Sequence, residues 1–278
     1  MGHGMARNLH QAGLLTAIWN RTAVKATALA TELHCVAAGA LTDIATDCDA
    51  LVICVAADQD VQAVIAQLKP ALRPGTLLID CSTVSADTAR NCAAQLAAIQ
   101  CDFLDAPVSG GVEGARLGTL AIMVGGEATT FARAEPILQA MGKTITHFGP
   151  SGAGQAAKAT NQILCAGAIQ AAAEAMAFAK AEGLPLDKII ETLSKGAGAS
   201  WYFTHRAPNM MRNQYAGGFR VRLHEKDLRI CHDMALQHGV QLPLIEMTLI
   251  QYQRLIEQGH GDEDISTLFH LKDALFMR

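Results

Sequence analysis

ALVICVAADQDVQAVIAQLKPALRPGTLLIDCSTVSADTARNCAAQLAAIQCDFLDA, residues 50–106, decides the fold. Ala50 to Val55 is a short apolar, β-rich run, and a helical pattern follows it from Asp60 to Leu68. Pro74-Gly75 turns the chain into a further strand, Thr76 to Asp80. Ser85 to Ala98 then reads as helix and Phe103 to Ala106 as strand. The strands are short, apolar on both faces and separated by helices. That pattern predicts a parallel sheet with crossover helices, the doubly wound α/β class.

The same alternation extends in both directions. Upstream, the apolar run Leu14 to Trp19 ends at Asn20-Arg21, just before a helical stretch from Thr22 to Leu33. Downstream, Leu120 to Val124 and Ile145 to Phe148 extend the sheet, with a helix between them near Phe131 to Met141. The character changes at Gly149. From Gly154 to about Glu182 the chain is almost continuously helix-forming and free of proline, which predicts a rod roughly 40 Å long at 1.5 Å per residue. Gly183 and Pro185 stop it. Everything afterwards reads as helix and loop: Leu186 to Ser194, Ala207 to Asn213, Glu225 to His238 and Pro243 to Gln258. The expected architecture is a Rossmann-type doubly wound domain over residues 1–150, joined by one long helix to an all-helical domain over 151–278.

Composition narrows the function classes. Half of the 278 residues are hydrophobic, ample for a large core. A net charge of −4 without any basic stripe argues against a nucleic-acid partner. No uninterrupted apolar run reaches the roughly 20 residues of a membrane span, and the opening Gly2-His3-Gly4 is not a signal peptide. The eight cysteines are scattered without C-x-x-C and read as reduced thiols, so the cytoplasm is the expected compartment. None of the ten histidines forms an i,i+3 or i,i+4 pair, so no metal site is expected, and no G-x-S-x-G elbow suggests a hydrolase.

A dinucleotide fold begins with a strand that runs into a Gly-rich turn and then a helix whose N-terminus holds the pyrophosphate. Here Met5 to Gly13 already reads as the first helix, and MGHGMARNL looks like the back half of that fingerprint, with Gly2 as its last glycine. The first strand and two earlier glycines are missing. That strand belongs in the centre of the sheet, so two strands are expected to lack a partner. A start assigned too late, or a shortened chain, is the expected explanation; a diverged N-terminus that needs no strand is the alternative.

Two stretches carry chemistry. DAPVSGGVEGARLGTL, residues 105–120, places four glycines and a serine directly after a strand, where ligands of open α/β sheets bind. Gly110 and Gly111 lack Cβ atoms, so backbone N–H groups can approach a small anion, and Ser109 adds a hydroxyl. Such a nest suits a carboxylate, though an ordinary Gly-rich turn has the same composition. GPSGAGQAAKATNQ, residues 149–162, runs three glycines into the long helix and places Lys158 and Asn161 three residues apart on one face. The helix dipole and an oxidised nicotinamide would both disfavour the ammonium, which prepares this lysine to exchange a proton. Without further information, a solvated surface lysine is the commoner fate.

Residues 105–120 resemble the substrate-binding signature of the β-hydroxyacid dehydrogenases, and the likeness covers nearly the whole chain except the absent start. The resemblance implies an NAD(P)-dependent oxidoreductase that interconverts a short 3-hydroxy or 4-hydroxy acid and its semialdehyde. It implies a helical domain of the 6-phosphogluconate dehydrogenase-like kind. Residues matching Ser109, Gly110 and Gly111 hold the substrate carboxylate in that family. Its catalytic lysine falls on Lys158 and its substrate-binding asparagine on Asn161. Thr83 would lie beside the nicotinamide, and Val55 and Ala56 would pass beneath the cofactor. Lys226, at the start of a C-terminal helix, looks like the family's cofactor-contacting lysine, with Asp227 as its neighbour.

Asn20-Arg21-Thr22 ends a strand where NAD-specific folds place an acidic residue; an arginine suits the 2′-phosphate, so NADP is preferred and NAD stays open. The bland reading makes Thr22 a helix N-cap and Arg21 its exposed neighbour. Expected substrates are small carboxylate-bearing molecules such as succinic, tartronate or methylmalonate semialdehyde, or glyoxylate. Trp201, Phe203 and His205 are candidates for choosing among them. The Ala-rich helical domain suggests a homodimer or homotetramer. Imine reduction on the same architecture and a non-catalytic dinucleotide-binding scaffold are the rival readings; the first is weakened by the lysine at 158.

Overall fold

A computed structural model of the protein describes residues 1–277. The chain divides into two compact units, Met1–Lys158 and Ala159–Arg278. The first contains helix α1 (Gly2–Gln11), strand β1 (Ala17–Ile18), α2 (Ala23–Leu33), β2 (Val36–Ala37), α3 (Leu41–Asp47), β3 (Ala50–Ile53), α4 (Asp58–Leu68) and β4 (Leu77–Asp80). It continues through α5 (Ala86–Ala97), β5 (Asp102–Asp105), β6 (Val108–Ser109), α6 (Gly111–Leu117), β7 (Leu120–Gly125), α7 (Ala128–Met141) and β8 (Gly142–Gly149). Helix α8 (Ala153–Ala181) begins in this unit, and the division falls within it, after Lys158.

Strands β3, β4 and β5 are parallel, in register at Val52↔Ile79 and Ile79↔Leu104. Period-2 alternation sends their side chains to opposite faces, and both faces are covered. Leu77, Ile79 and Leu104 join a core with Met5, Leu9, Leu138 and Met141 from α1 and α7. Leu78 and Phe103 join a second core with Val61, Ile65, Cys92 and Leu96 from α4 and α5. Helix α5 starts where Ser85 Oγ accepts the Thr88 amide, an N-cap that leaves the Asp80-to-Ser85 loop at the carboxyl end of the sheet.

The sheet is mixed rather than purely parallel, which corrects the sequence expectation. Strand β7 runs antiparallel to β5 at Asp105↔Gly125 and to β6 at Ser109↔Ala121, and parallel to β8. The reversal arises because no crossover of full length separates β5 from β7: the short β6 and the seven-residue α6 return the chain beside its own start. The β1–β2 pair forms a separate two-stranded sheet. Among the described residues β1 pairs only with β2, and β3 only with β4.

The second unit is helical: the remainder of α8, α9 (Leu186–Leu193), α10 (Trp201–Arg212), α11 (Val221–Gln237), α12 (Pro243–Glu257) and α13 (Phe269–Asp273). Its core gathers Ile169, Ala173 and Met176 of α8 with Phe203, Leu228, Ile245, Tyr252 and Leu268. Two helices begin earlier than periodicity suggests. Ser200 caps α10, so Pro208 stands inside a helix rather than near its first turn. Lys226 lies in the second turn of α11, whose start is Val221, and not at a helix start. One further correction concerns α8. By length and composition it is apolar enough to cross a membrane, although no single uninterrupted apolar run in the sequence is. Half of that apolar window is buried, as expected of an alanine-rich core helix.

Candidate active site

Asp80 and Asp105 end the adjacent strands β4 and β5 and are paired in register. Both are fully buried. Asp105 Oδ1 accepts the Gly152 amide at 2.8 Å and Oδ2 the Gln155 amide at 2.9 Å. A carboxylate from the sheet therefore caps the start of α8, meeting both its orphan N–H groups and its positive dipole end. Burial raises the Asp105 carboxyl above its ordinary value, and the Gly152 and Gln155 amides pull it back down. The approach is close enough to require glycine. A Cβ on Gly154 would stand 2.5 Å from the Met123 carbonyl oxygen and 2.6 Å from that of Asp105. The glycines before Lys158 thus seat the helix against the sheet.

The loop after β4 is held from several sides. Asp80 Oδ1 accepts the Ser82 amide at 3.0 Å, and Ser82 Oγ accepts the Val55 amide at 2.9 Å. Gln155 Nε2 donates to the Ser82 carbonyl at 2.9 Å, while its Oε1 accepts the Val84 amide at 3.1 Å. Thr83 lies between those two anchors. Asp80 is pushed up to about 6 by burial, with the Asp105 charge adding to the rise, and its Oδ2 makes no hydrogen bond. Gly2 reaches the end of the neighbouring strand: its amide hydrogen-bonds the Cys54 thiol, and a Cβ there would lie 3.6 Å from Cys54 Cβ. The structure therefore brings Gly2, Val55, Thr83 and the start of α8 to one edge of the sheet, the carboxyl ends of β3 and β4.

Ser109 is on β6, and Gly110 and Gly111 follow with φ of +124° and +64°. Only glycine adopts both without strain, so the loop's composition is dictated by its backbone. Both glycines are solvent-exposed. Lys158, one turn after Gln155, is only 7% exposed. Buried lysines are uncommon unless partnered, and the surface-lysine reading is excluded. Asn20 Oδ1 accepts the Thr22 amide, Thr22 occupies the N-cap position of α2 without a side-chain cap bond, and Arg21 is 83% exposed with an ion pair to Asp60 at 3.0 Å. Ala56 follows β3 in the turn before α4. The donors at this edge fit a dinucleotide: a helix start bearing Gly2 and an accessible guanidinium at the end of β1 are both anion-binding chemistry.

Within the second unit, Asn161 Nδ2 donates to Gln162 Oε1 at 2.8 Å and contacts Cys165 Sγ at 3.5 Å. Gln162 Nε2 donates to Asp227 Oδ2 at 2.6 Å, and Asp227 Oδ1 pairs with Lys226 at 2.9 Å. Asn161, Lys226 and Asp227 are thus joined through a residue the sequence reading passed over. Its one available signal was a second amide directly after Asn161. Gln155 was missed likewise. Of the three proposed selectivity residues, Trp201 stacks on His205 at 4.4 Å between ring centroids, whereas Phe203 is a core residue. Among the described residues no group of histidine, cysteine, aspartate and glutamate could hold a metal ion.

Residues 1–149 match the NAD binding domain of 6-phosphogluconate dehydrogenase, and residues 152–271 match the NAD-binding domain of NADP-dependent 3-hydroxyisobutyrate dehydrogenase. An NAD-dependent L-serine dehydrogenase of Pseudomonas aeruginosa is 35% identical over 98% of this chain and 95% of its own. A 3-hydroxyisobutyrate dehydrogenase from the same organism is 40% identical over 69% of this chain and 67% of its own. A solved structure of Mycobacterium tuberculosis 3-hydroxyisobutyrate dehydrogenase with L-serine superposes with a TM-score of 0.89 at 31% identity, covering 98% of this chain and 95% of that one.

Proposed function

Because the chain belongs to the β-hydroxyacid dehydrogenase family and is an NAD(P)-dependent hydroxyacid dehydrogenase, we propose that it interconverts a short 3-hydroxy acid and its semialdehyde with NADP preferred. Membership of an enzyme family sets aside the scaffold reading. The named substrates of the relatives, L-serine and 3-hydroxyisobutyrate, each carry a hydroxyl on the third carbon of a carboxylic acid. That shared pattern supports a carboxylate-bearing substrate here.

When bound, the nicotinamide supplies or accepts the hydride. Lys158 Nζ gives a proton to the carbonyl oxygen during reduction and takes the hydroxyl proton during oxidation. The Ser109 hydroxyl and the amides of Gly110 and Gly111 hold the carboxylate. Asn161, whose Nδ2 is engaged with Gln162 and Cys165, would orient the substrate hydroxyl or carboxylate. On the cofactor side, Gly2 and the start of α1 would take the pyrophosphate, with Asn20, Arg21 and Thr22 at the ribose. Val55, Ala56 and Thr83 would face the nicotinamide half, and Lys226 and Asp227 would complete the contacts. The observation that carries the reading is the burial of Lys158 on a helix start pinned to the carboxyl end of the sheet. General acid–base catalysis is worth about 10²–10⁴-fold. Lys158→Ala should lose that much kcat across a panel of hydroxy acids and semialdehydes, while NADPH titration followed by fluorescence stays near wild type. Wild-type turnover by Lys158→Ala refutes the assignment. The reading includes a homodimer or homotetramer, supported by the exposed Leu244, Met247 and Ile250 of α12; sedimentation equilibrium tests it.

A further inference from the structure

We propose that Gln155 is a positioning residue for hydride transfer, locking the loop that carries Thr83 to the helix turn that carries Lys158. The proposal rests on the reading of Thr83 as facing the nicotinamide. Its basis is a pair of hydrogen bonds that bracket one residue. The Ser82 carbonyl, which accepts from Gln155 Nε2 at 2.9 Å, belongs to the peptide group before Thr83. The Val84 amide, which donates to Gln155 Oε1 at 3.1 Å, belongs to the peptide group after it. One side-chain amide therefore grips both peptide planes of Thr83, and only an amide carries a donor and an acceptor at the required spacing.

Gln155 is itself held. Its backbone amide donates to Asp105 Oδ2 at 2.9 Å, and the residue is 1% exposed. Three residues later on the same helix stands Lys158, a spacing that puts the two on neighbouring positions of one face. The residue proposed to face the nicotinamide and the residue proposed to move the proton are thereby referenced to a single turn of backbone. Hydride transfer requires the reacting atoms within about 3–3.5 Å, and a displacement of about 1 Å costs on the order of 100-fold. Loosening the Thr83 loop should act on the chemical step through that distance.

The test uses Gln155→Met, which keeps the length and removes both bonds, and Gln155→Glu, which keeps the acceptor for Val84 and loses the donor to Ser82. Hydrogen exchange measured by mass spectrometry on the cofactor-free protein should show the Ser82–Val84 segment exchanging at least 10-fold faster in Gln155→Met, with a smaller rise in Gln155→Glu. In turnover, Gln155→Met should lose about 100-fold in kcat. Combined with Thr83→Ala, it should lose less than about 3-fold beyond Thr83→Ala alone. A residue that only stabilises the fold would give additive losses that track melting temperature. Additive losses, or unchanged exchange at Ser82–Val84, overturn the proposal. If Gln155→Met does not fold, Gln155→Glu carries the same cycle, judged by a rise in exchange at Ser82–Val84 and by a loss of less than about 3-fold beyond Thr83→Ala alone. Thr83→Ala with wild-type kcat and cofactor affinity would instead overturn the reading of Thr83, a result distinguishable from failure at Gln155.

Discussion

Replacing Asp105 with asparagine exchanges one carboxylate oxygen for an amide NH2 at a point where two backbone donors converge. In the wild type Oδ1 accepts the Gly152 amide and Oδ2 the Gln155 amide, at 2.8 and 2.9 Å. The amide side chain can accept only one of them; its NH2 must face the other donor. Losing a hydrogen bond to a charged group costs about 1.5–3 kcal/mol, and the buried N–H left without an acceptor costs about 1–3 kcal/mol more. Part of this is returned, because burial already holds the Asp105 carboxyl above its ordinary value and the neutral side chain escapes that penalty. The expected net loss is about 2–4 kcal/mol, a large fraction of the roughly 5–15 kcal/mol that keeps a domain folded. Urea unfolding measures it. The two tryptophans fall in different units, Trp19 in the first and Trp201 in the second. A Trp201→Phe background therefore makes fluorescence report the unit that contains Asp105, which avoids treating the whole chain as two-state. The loss should appear in the Trp19 transition at an unchanged m-value. A midpoint shift equivalent to less than about 0.5 kcal/mol would refute the assignment of Asp105 as the cap of α8.

Three further outcomes are expected. Arg21→Ser should raise KM for NADPH about 10–100-fold, the equivalent of one charge-assisted hydrogen bond, and leave NADH within about 3-fold; equal losses with both cofactors would remove Arg21 from phosphate recognition. Asp80 rises from its ordinary 3.8 to about 6 in the folded protein, mainly through burial. A raised carboxyl contributes stability below pH 4 that disappears as pH rises through about 6. Asp80→Asn should therefore be more stable than wild type at pH 7.5 by up to about 3 kcal/mol, at about 1.36 kcal/mol per unit. The advantage should vanish near pH 4, and a difference independent of pH contradicts the reasoning. Gly154→Ala should destabilise the first unit by at least about 1–3 kcal/mol, because its Cβ would meet the Met123 and Asp105 carbonyl oxygens. A wild-type thermal midpoint would show that α8 can retreat from the sheet at no cost.

The legible part of the fold was the part governed by local burial. Runs such as Leu77–Asp80, buried at every position, declare a central strand, and Ser85 announces the helix behind it. Val36–Ala37 and α6 went unread for the opposite reason. Two exposed residues cannot show alternation, and a helix that opens on Gly110-Gly111 lacks ordinary propensity. Pro208 concealed the start of α10 because proline reads more readily as a helix beginning than as an interior residue.

Periodicity, punctuation and spacing in the chain alone determined the doubly wound α/β class, the long helix after Gly154, and the resemblance that singles out Lys158 and Ser109. Only the tertiary structure decided that β7 reverses beside β5, that Asp105 caps α8, that Gln155 brackets Thr83, and that Gln162 links Asn161 to Asp227. The reason is physical. A side chain's tendency to be buried is printed in its near neighbours, within a turn or a pleat. A hydrogen bond between residues 47 to 73 positions apart depends on where two separate backbones come to rest, and no local window contains that.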